Sequence, residues 1–214
     1  MARALVRVSR RHLVAVVAGL VVALAIAPTA GQAADNRAEE VVQGLVEDIW
    51  TTLRRDHVDG NARVDELAVL LEARTDVALI SRLALGRHWN RLPEPERRDY
   101  QELFRDVVIR SMARRLSTYA GDAEVPLEER FRIVSSAAVG TGDVLVRSKV
   151  FPSRGRPLDL DWRLRSGASG PVVIDLIVEG ASLLVSQRSE FAAVIERGDL
   201  AGLLAELRAR ARST

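Results

Sequence analysis

The sequence predicts an α+β fold, and three observations carry that prediction. Apolar residues recur with a period near 3.6 from Ala38 to Tyr119, with a period of two from Arg130 to Val185, and with helical spacing again from Ser189 to Arg212. Helices first, strands second and helices last is the order of an α+β domain, not of alternating βαβ units.

Taken in order, the first helix spans Ala38 to Asp56, with Val41, Val42, Leu45, Val46, Ile49, Trp50 and Leu53 on one face. Gly60-Asn61 breaks it, and Val64 to Arg74 forms a second, shorter helix. Either Thr75 or Asp76 caps a third, which carries Val77, Leu79, Ile80, Leu83 and Leu85 and stops at Gly86. The longest helix enters through Pro93-Glu94-Pro95-Glu96, where proline fits a first turn and the acids suit the positive end of the helix dipole. Its stripe of Tyr100, Leu103, Phe104, Val107, Val108, Met112, Leu116 and Tyr119 runs to Gly121. Four strands follow: Arg130–Val139, Asp143–Phe151, Leu158–Arg165 and Val172–Val185, the last interrupted near Gly180. The short, glycine-bearing connections between them imply antiparallel hairpins in a meander. The third strand sets Leu158, Leu160, Trp162 and Leu164 against Asp159, Asp161, Arg163 and Arg165, so one face is buried and the other wet. Two last helices, Ser189–Arg197 and Asp199–Arg212, meet at Gly198.

The N-terminus reads as an address. Arg3, Arg7, Arg10, Arg11 and His12 stand without an acid, Leu13 to Ala27 is an unbroken apolar run, and Pro28 precedes the small residues Gly31-Gln32-Ala33. This is the order of an export signal cleaved after Ala33, so residues 1–33 are the signal and 34–214 the mature domain. The run falls short of the roughly 20 residues that span a bilayer, although an uncleaved anchor stays open as the alternative. Ser9-Arg10-Arg11-His12-Leu13-Val14 resembles a twin-arginine export motif, with the general secretory route equally open, and both lead to a bacterial periplasm.

Charge and composition then exclude several classes. The whole chain has a formal charge of +2, from 31 basic and 29 acidic residues. Removing Arg3, Arg7, Arg10 and Arg11 leaves 27 basic residues and a mature charge of −2, which is no footprint for a nucleic-acid binder. With no cysteine there is no disulfide frame, thiolate metal site or cysteine nucleophile. Aromatic residues make up only 4%, so the interior is aliphatic. His57 and His88, the two histidines of the mature chain, lack metal-ligand spacing and read as surface or interface residues. Gly140-Thr141-Gly142 reads as a hairpin turn, not a dinucleotide loop. Asp159 and Asp161 alternate with Leu and Trp and read as a solvated face. Glu179 sits in an apolar run and calls for a partner such as an arginine, in a structural hydrogen bond at the strand break.

Three stretches together resemble the MlaC family, also called the toluene-tolerance auxiliary family. They are Leu85-Gly86-Arg87-His88-Trp89-Asn90 with the Pro93–Phe104 helix entry, Gly155-Arg156-Pro157-Leu158-Asp159-Leu160-Asp161-Trp162-Arg163, and Asp175-x-x-x-Glu179-Gly180-x-Ser182. The resemblance implies helices wrapped around a highly twisted four-stranded antiparallel sheet, an NTF2-like cone enclosing a deep apolar lipid cavity. It implies a periplasmic phospholipid carrier, not an enzyme. Its cargo is a phospholipid, and it has no cofactor and no metal. Its partners are an inner-membrane MlaD-like ABC transporter complex and an outer-membrane MlaA-like lipoprotein complex.

Such a cavity is expected between the long helix and the sheet. The helix offers Tyr100, Phe104, Val108 and Met112, and the sheet offers Val146, Leu160, Trp162, Leu176 and Val178. Ala181, small and next to the strand break, is expected to leave room for an acyl chain. Other readings stay open: a solid core from the same residues, a carrier of a hopanoid-type amphiphile, a periplasmic enzyme using Glu179, or an adaptor without a ligand.

Overall fold

A computed structural model describes residues 30–55, 59–120, 124–167 and 170–212. The export segment, apart from the backbone of residues 30–33, lies outside the described residues, as do Asp56, His57 and Gly121. The helices are α1 (Ala30–Leu53), α2 (Gly60–Arg74), α3 (Val77–Leu85), α4 (Glu94–Phe104), α5 (Arg110–Ser117) and α6 (Leu183–Arg212). The strands are β1 (Phe131–Val139), β2 (Asp143–Val150), β3 (Leu158–Gly167), β4 (Gly170–Val178) and β5 (Ala181–Ser182). They pair in sequence order, antiparallel throughout, as one open sheet. The α+β class and the meander therefore stand, with five strands in place of four. No described helix is long and apolar enough to cross a membrane.

Caps explain the early helices. The Asp59 carboxylate accepts from the Asn61 and Ala62 N–H groups and starts α2. Asp76, not Thr75, caps α3 through the Leu79 N–H at 2.8 Å. The long helix is not uniform: Arg105–Ile109 opens into a π-turn between α4 and α5.

The expected fourth strand is corrected at its end. Glu179 and Gly180 both take positive φ, 49° and 81°, which is the two-residue turn that matches strand twist. β4 and β5 form a hairpin around it, with Val178 opposite Ala181. The segment Leu183-Leu184-Val185 then winds as helix, because Ser182 caps it. The Ser182 hydroxyl accepts from the Val185 N–H and donates to Asp175, whose other carboxylate oxygen accepts from the Leu184 N–H. Glu179 is exposed at the turn, where it accepts from the Asp159 N–H and pairs with Arg156, each at 2.8 Å. At Gly198 and Asp199, α6 breaks, and the Asp199 carboxylate caps the second arm through the Ala201 and Gly202 N–H groups.

The sheet's two faces separate cleanly. One face carries Val146, Trp162, Leu164 and Val173 into a core with Val42, Leu45, Leu67 and Ala113 of α1, α2 and α5. The other carries Arg163 and Arg165, which clasp the buried Asp143 carboxylate at 2.6 Å and hold it below the usual carboxylate range. Asp159 on this face pairs with Lys149 at 2.6 Å. A second core gathers Leu85, Tyr100, Phe104, Phe191, Leu203 and Leu207 from α3, α4 and both arms of α6. The Tyr100 hydroxyl donates to the Ser81 carbonyl at 2.9 Å, and burial pushes its pKa far up.

His88 belongs to the interior, not the surface, a correction to the sequence reading. It lies in a 3₁₀ turn, Gly86–Arg91, and is only 7% exposed. In such a turn residues three apart eclipse, so Arg91 stands over His88, with its Nη1 3.1 Å from Nδ1. Arg87 Nε donates to Nε2 at 3.2 Å. Burial first, then the Arg87 and Arg91 charges, hold the imidazole below its ordinary pKa, against a smaller opposing pull from Glu196. The unfolded chain thus takes up a proton near pH ~6.5 that the native protein refuses. Stability is full above that value and falls as pH drops below it. His88→Gln should flatten the pH dependence of the urea midpoint between about pH 7 and about pH 5.5, above the range where carboxylates titrate.

Candidate functional site

A groove enclosing about 370 Å³ runs along the seam between the two cores. Its floor is apolar: Phe104, Val107, Val108, Ile109 and Met112 from the long helix, Val173, Ile174 and Leu176 from β4, and Leu184 and Phe191 from α6. The volume falls within the roughly 300–1,000 Å³ of small-molecule sites. The π-turn bears directly on this wall. Val107 is buried in the second core and Ile109 in the first, and both line the groove with half-buried Val108 between them, so the turn sits astride the seam.

The α6 wall is set by the motif that ends the sheet. Asp175 lines the groove and is nearly buried, with one oxygen on the Leu184 N–H and the other on the Ser182 hydroxyl. These bonds fasten the first turn of α6, and with it Leu183 and Leu184, against β4. The Asp175-x-x-x-Glu179-Gly180-x-Ser182 pattern is thus a hairpin and a helix start. The second arm of α6 folds back over the first, with Arg210 2.8 Å from Glu190 and Arg208 paired with Asp99 of α4.

Four of the ten side chains expected to hold ligand come together here: Phe104, Val108, Met112 and Leu176. Tyr100 stands behind the groove, edge-on to Phe191 with ring centroids 6.1 Å apart. Val146 and Trp162 are buried in the first core and Leu160 packs against it, on the side of the sheet covered by α1. Val178 is half-buried, and its strand partner Ala181 is exposed. The expectation that Ala181 lines a cavity is therefore corrected: the hairpin turn carries it to the sheet edge. Sequence reasoning missed the α6 wall altogether. The available signal was Ser182 directly before an apolar run, an N-cap signature. The second depression, about 530 Å³ between α2, α3, α4 and the β3–β4 end, is open and mixed in polarity, with Glu72, Asp76, Glu102 and Arg105 on its walls. Among the described residues no cluster of His, Asp and Glu could hold a metal ion.

Comparison with known proteins bears on the whole arrangement. The chain is similar to a phospholipid-binding protein from Ralstonia solanacearum, solved in complex with a phospholipid. The two share 27% identity with a TM-score of 0.68, over 82% of this chain and 97% of the other. The family model for the MlaC protein matches residues 39–209. The chain belongs to the MlaC protein family.

Proposed function

We propose that this protein binds a phospholipid by its acyl chains in the groove between the long helix, β4 and α6, and carries it across the periplasm. The observation that carries the reading is the apolar seam itself, in a chain similar to a protein solved with a phospholipid. A carrier has to hide acyl chains from water. At about 0.8 kcal/mol per methylene, two exposed chains cost on the order of 20 kcal/mol. The aliphatic floor of the groove is the kind of lining that such chains need.

The finer reading follows the family resemblance. The carrier takes lipid between an outer-membrane MlaA-like lipoprotein complex and an inner-membrane MlaD-like ABC transporter complex, after export and cleavage at Ala33. Catalysis forms no part of it. Asp175 is committed to the α6 cap, and Glu179, the acid an enzyme in this cone would use, faces out at a hairpin turn.

One preparation tests the reading. The exported protein, purified without detergent, is weighed intact and extracted with organic solvent for mass spectrometry. A chain beginning at Ala34 with about one phospholipid per molecule is the expected result. A polycyclic lipid in the extract would transfer the reading to a hopanoid-type cargo, and an empty extract would remove the carrier.

A further inference from the structure

The groove has a direction. Along the long helix its stripe passes from Phe104, fully buried, through half-buried Val108 and Met112, to exposed Arg115 one turn beyond Met112. Ser111, one helical turn before Arg115 on the same face, also lines the groove. On the α6 wall, Ser186, Gln187 and Glu190 also line the groove.

Four charged side chains line the groove: Arg115, Asp175, Glu190 and Arg210. Three are already engaged. Asp175 holds Ser182 and the Leu184 N–H, and Arg210 bridges Glu190 and Glu206 at 2.8 and 2.5 Å. Arg105 and Arg110 of the long helix are paired as well, with Asp106 and Asp65. Arg115 makes no ion pair with any described residue. Its guanidinium stands beside an apolar groove, and no described residue takes its donors. That planar fork suits a phosphate ester, which it can bind through two charge-assisted hydrogen bonds. Because Arg115 is exposed, binding an anion there carries little desolvation cost.

We infer that Arg115 is the phosphate-binding residue of this groove, holding the phosphodiester of a lipid whose tails lie along Val108 and Met112. The inference rests on the phospholipid reading above. It assigns a fixed contact to the headgroup and makes phosphate a determinant of which lipids are retained.

The test uses the delipidated mature protein and two probes with identical tails, dioleoyl phosphatidylglycerol and dioleoylglycerol, with inorganic phosphate in millimolar excess as a competitor. Wild type is expected to bind the phospholipid more tightly, with little displacement by inorganic phosphate. Arg115→Gln should weaken phosphatidylglycerol about 10-fold or more while leaving dioleoylglycerol within about twofold, as expected for loss of a charge-assisted contact. Arg115→Lys should restore part of the difference. Equal losses for both probes, an unchanged ratio, no wild-type preference, or ready displacement by inorganic phosphate would each overturn the headgroup assignment and leave the carrier standing. Failure of wild type to take up either probe would bring down the carrier reading and this assignment together.

Discussion

Val108→Trp is expected to strip the protein of most co-purifying lipid while leaving it folded. Val108 is half-buried, sits in the π-turn, lines the groove and packs at the edge of the second core. An indole there takes the room of about four methylene groups. At about 0.8 kcal/mol for each methylene no longer buried, the loss is about 3 kcal/mol, or roughly 100-fold in affinity. The new ring fills open space, so the strain of overpacking, about 1–3 kcal/mol in a tight core, falls at its lower end. Ala181→Trp provides the contrast. Ala181 is exposed at the β5 edge, so a tryptophan there should leave lipid loading unchanged. Solvent extraction of both variants, with circular dichroism as the check on folding, reads the two outcomes. Full loading of Val108→Trp would place the cargo elsewhere in the fold.

That contrast marks where the sequence was legible. The stripe Phe104, Val108, Met112 was readable because a long amphipathic helix repeats its signal over many turns. The π-turn inside it was not legible, since the β-branched run Val107-Val108-Ile109 only lowers helix propensity and one extra residue in a turn barely disturbs the period. The hairpins were readable from their glycines. The end of β4 was not, because Ile174 to Val185 offers two apolar runs around Glu179-Gly180, and short apolar runs do not declare helix or strand. Tertiary bonds decide it, through Asp175 reaching Ser182 and the Leu184 N–H. The same limit explains Val146, Leu160 and Trp162. Alternation shows that they face inward, but not that they join the first core with α1 and leave the groove to β4 and α6. His88 is hidden among Arg87, Asn90 and Arg91, and the 3₁₀ winding turns it inward beside Trp89.

Phe191→Ala is expected to cause the largest loss of stability of any single truncation at this site. Phe191 is 2% exposed at the centre of the second core, edge-on to Tyr100 and Phe104 with centroids 6.1 and 6.2 Å away. It ties α4 to the first arm of α6, and Leu203, Leu204 and Leu207 of the second arm pack in the same cluster. Deleting a buried phenyl ring costs about 3–5 kcal/mol from lost transfer energy and the cavity left behind, including the edge-to-face pairs. Urea unfolding of the delipidated protein measures it, and Phe191→Leu, which keeps most of the apolar volume, should lose distinctly less. Phe191 also lines the groove, so the truncation enlarges the site it destabilises. Saturating lipid stabilises only the folded chain, by RT ln(1 + [L]/Kd), and should recover part of the lost midpoint in Phe191→Ala. A loss below about 1 kcal/mol would mean that the second core collapses around the gap, and that α6 is held to α4 mainly by Arg208–Asp99 and Arg210–Glu190 instead of by its aromatic contacts.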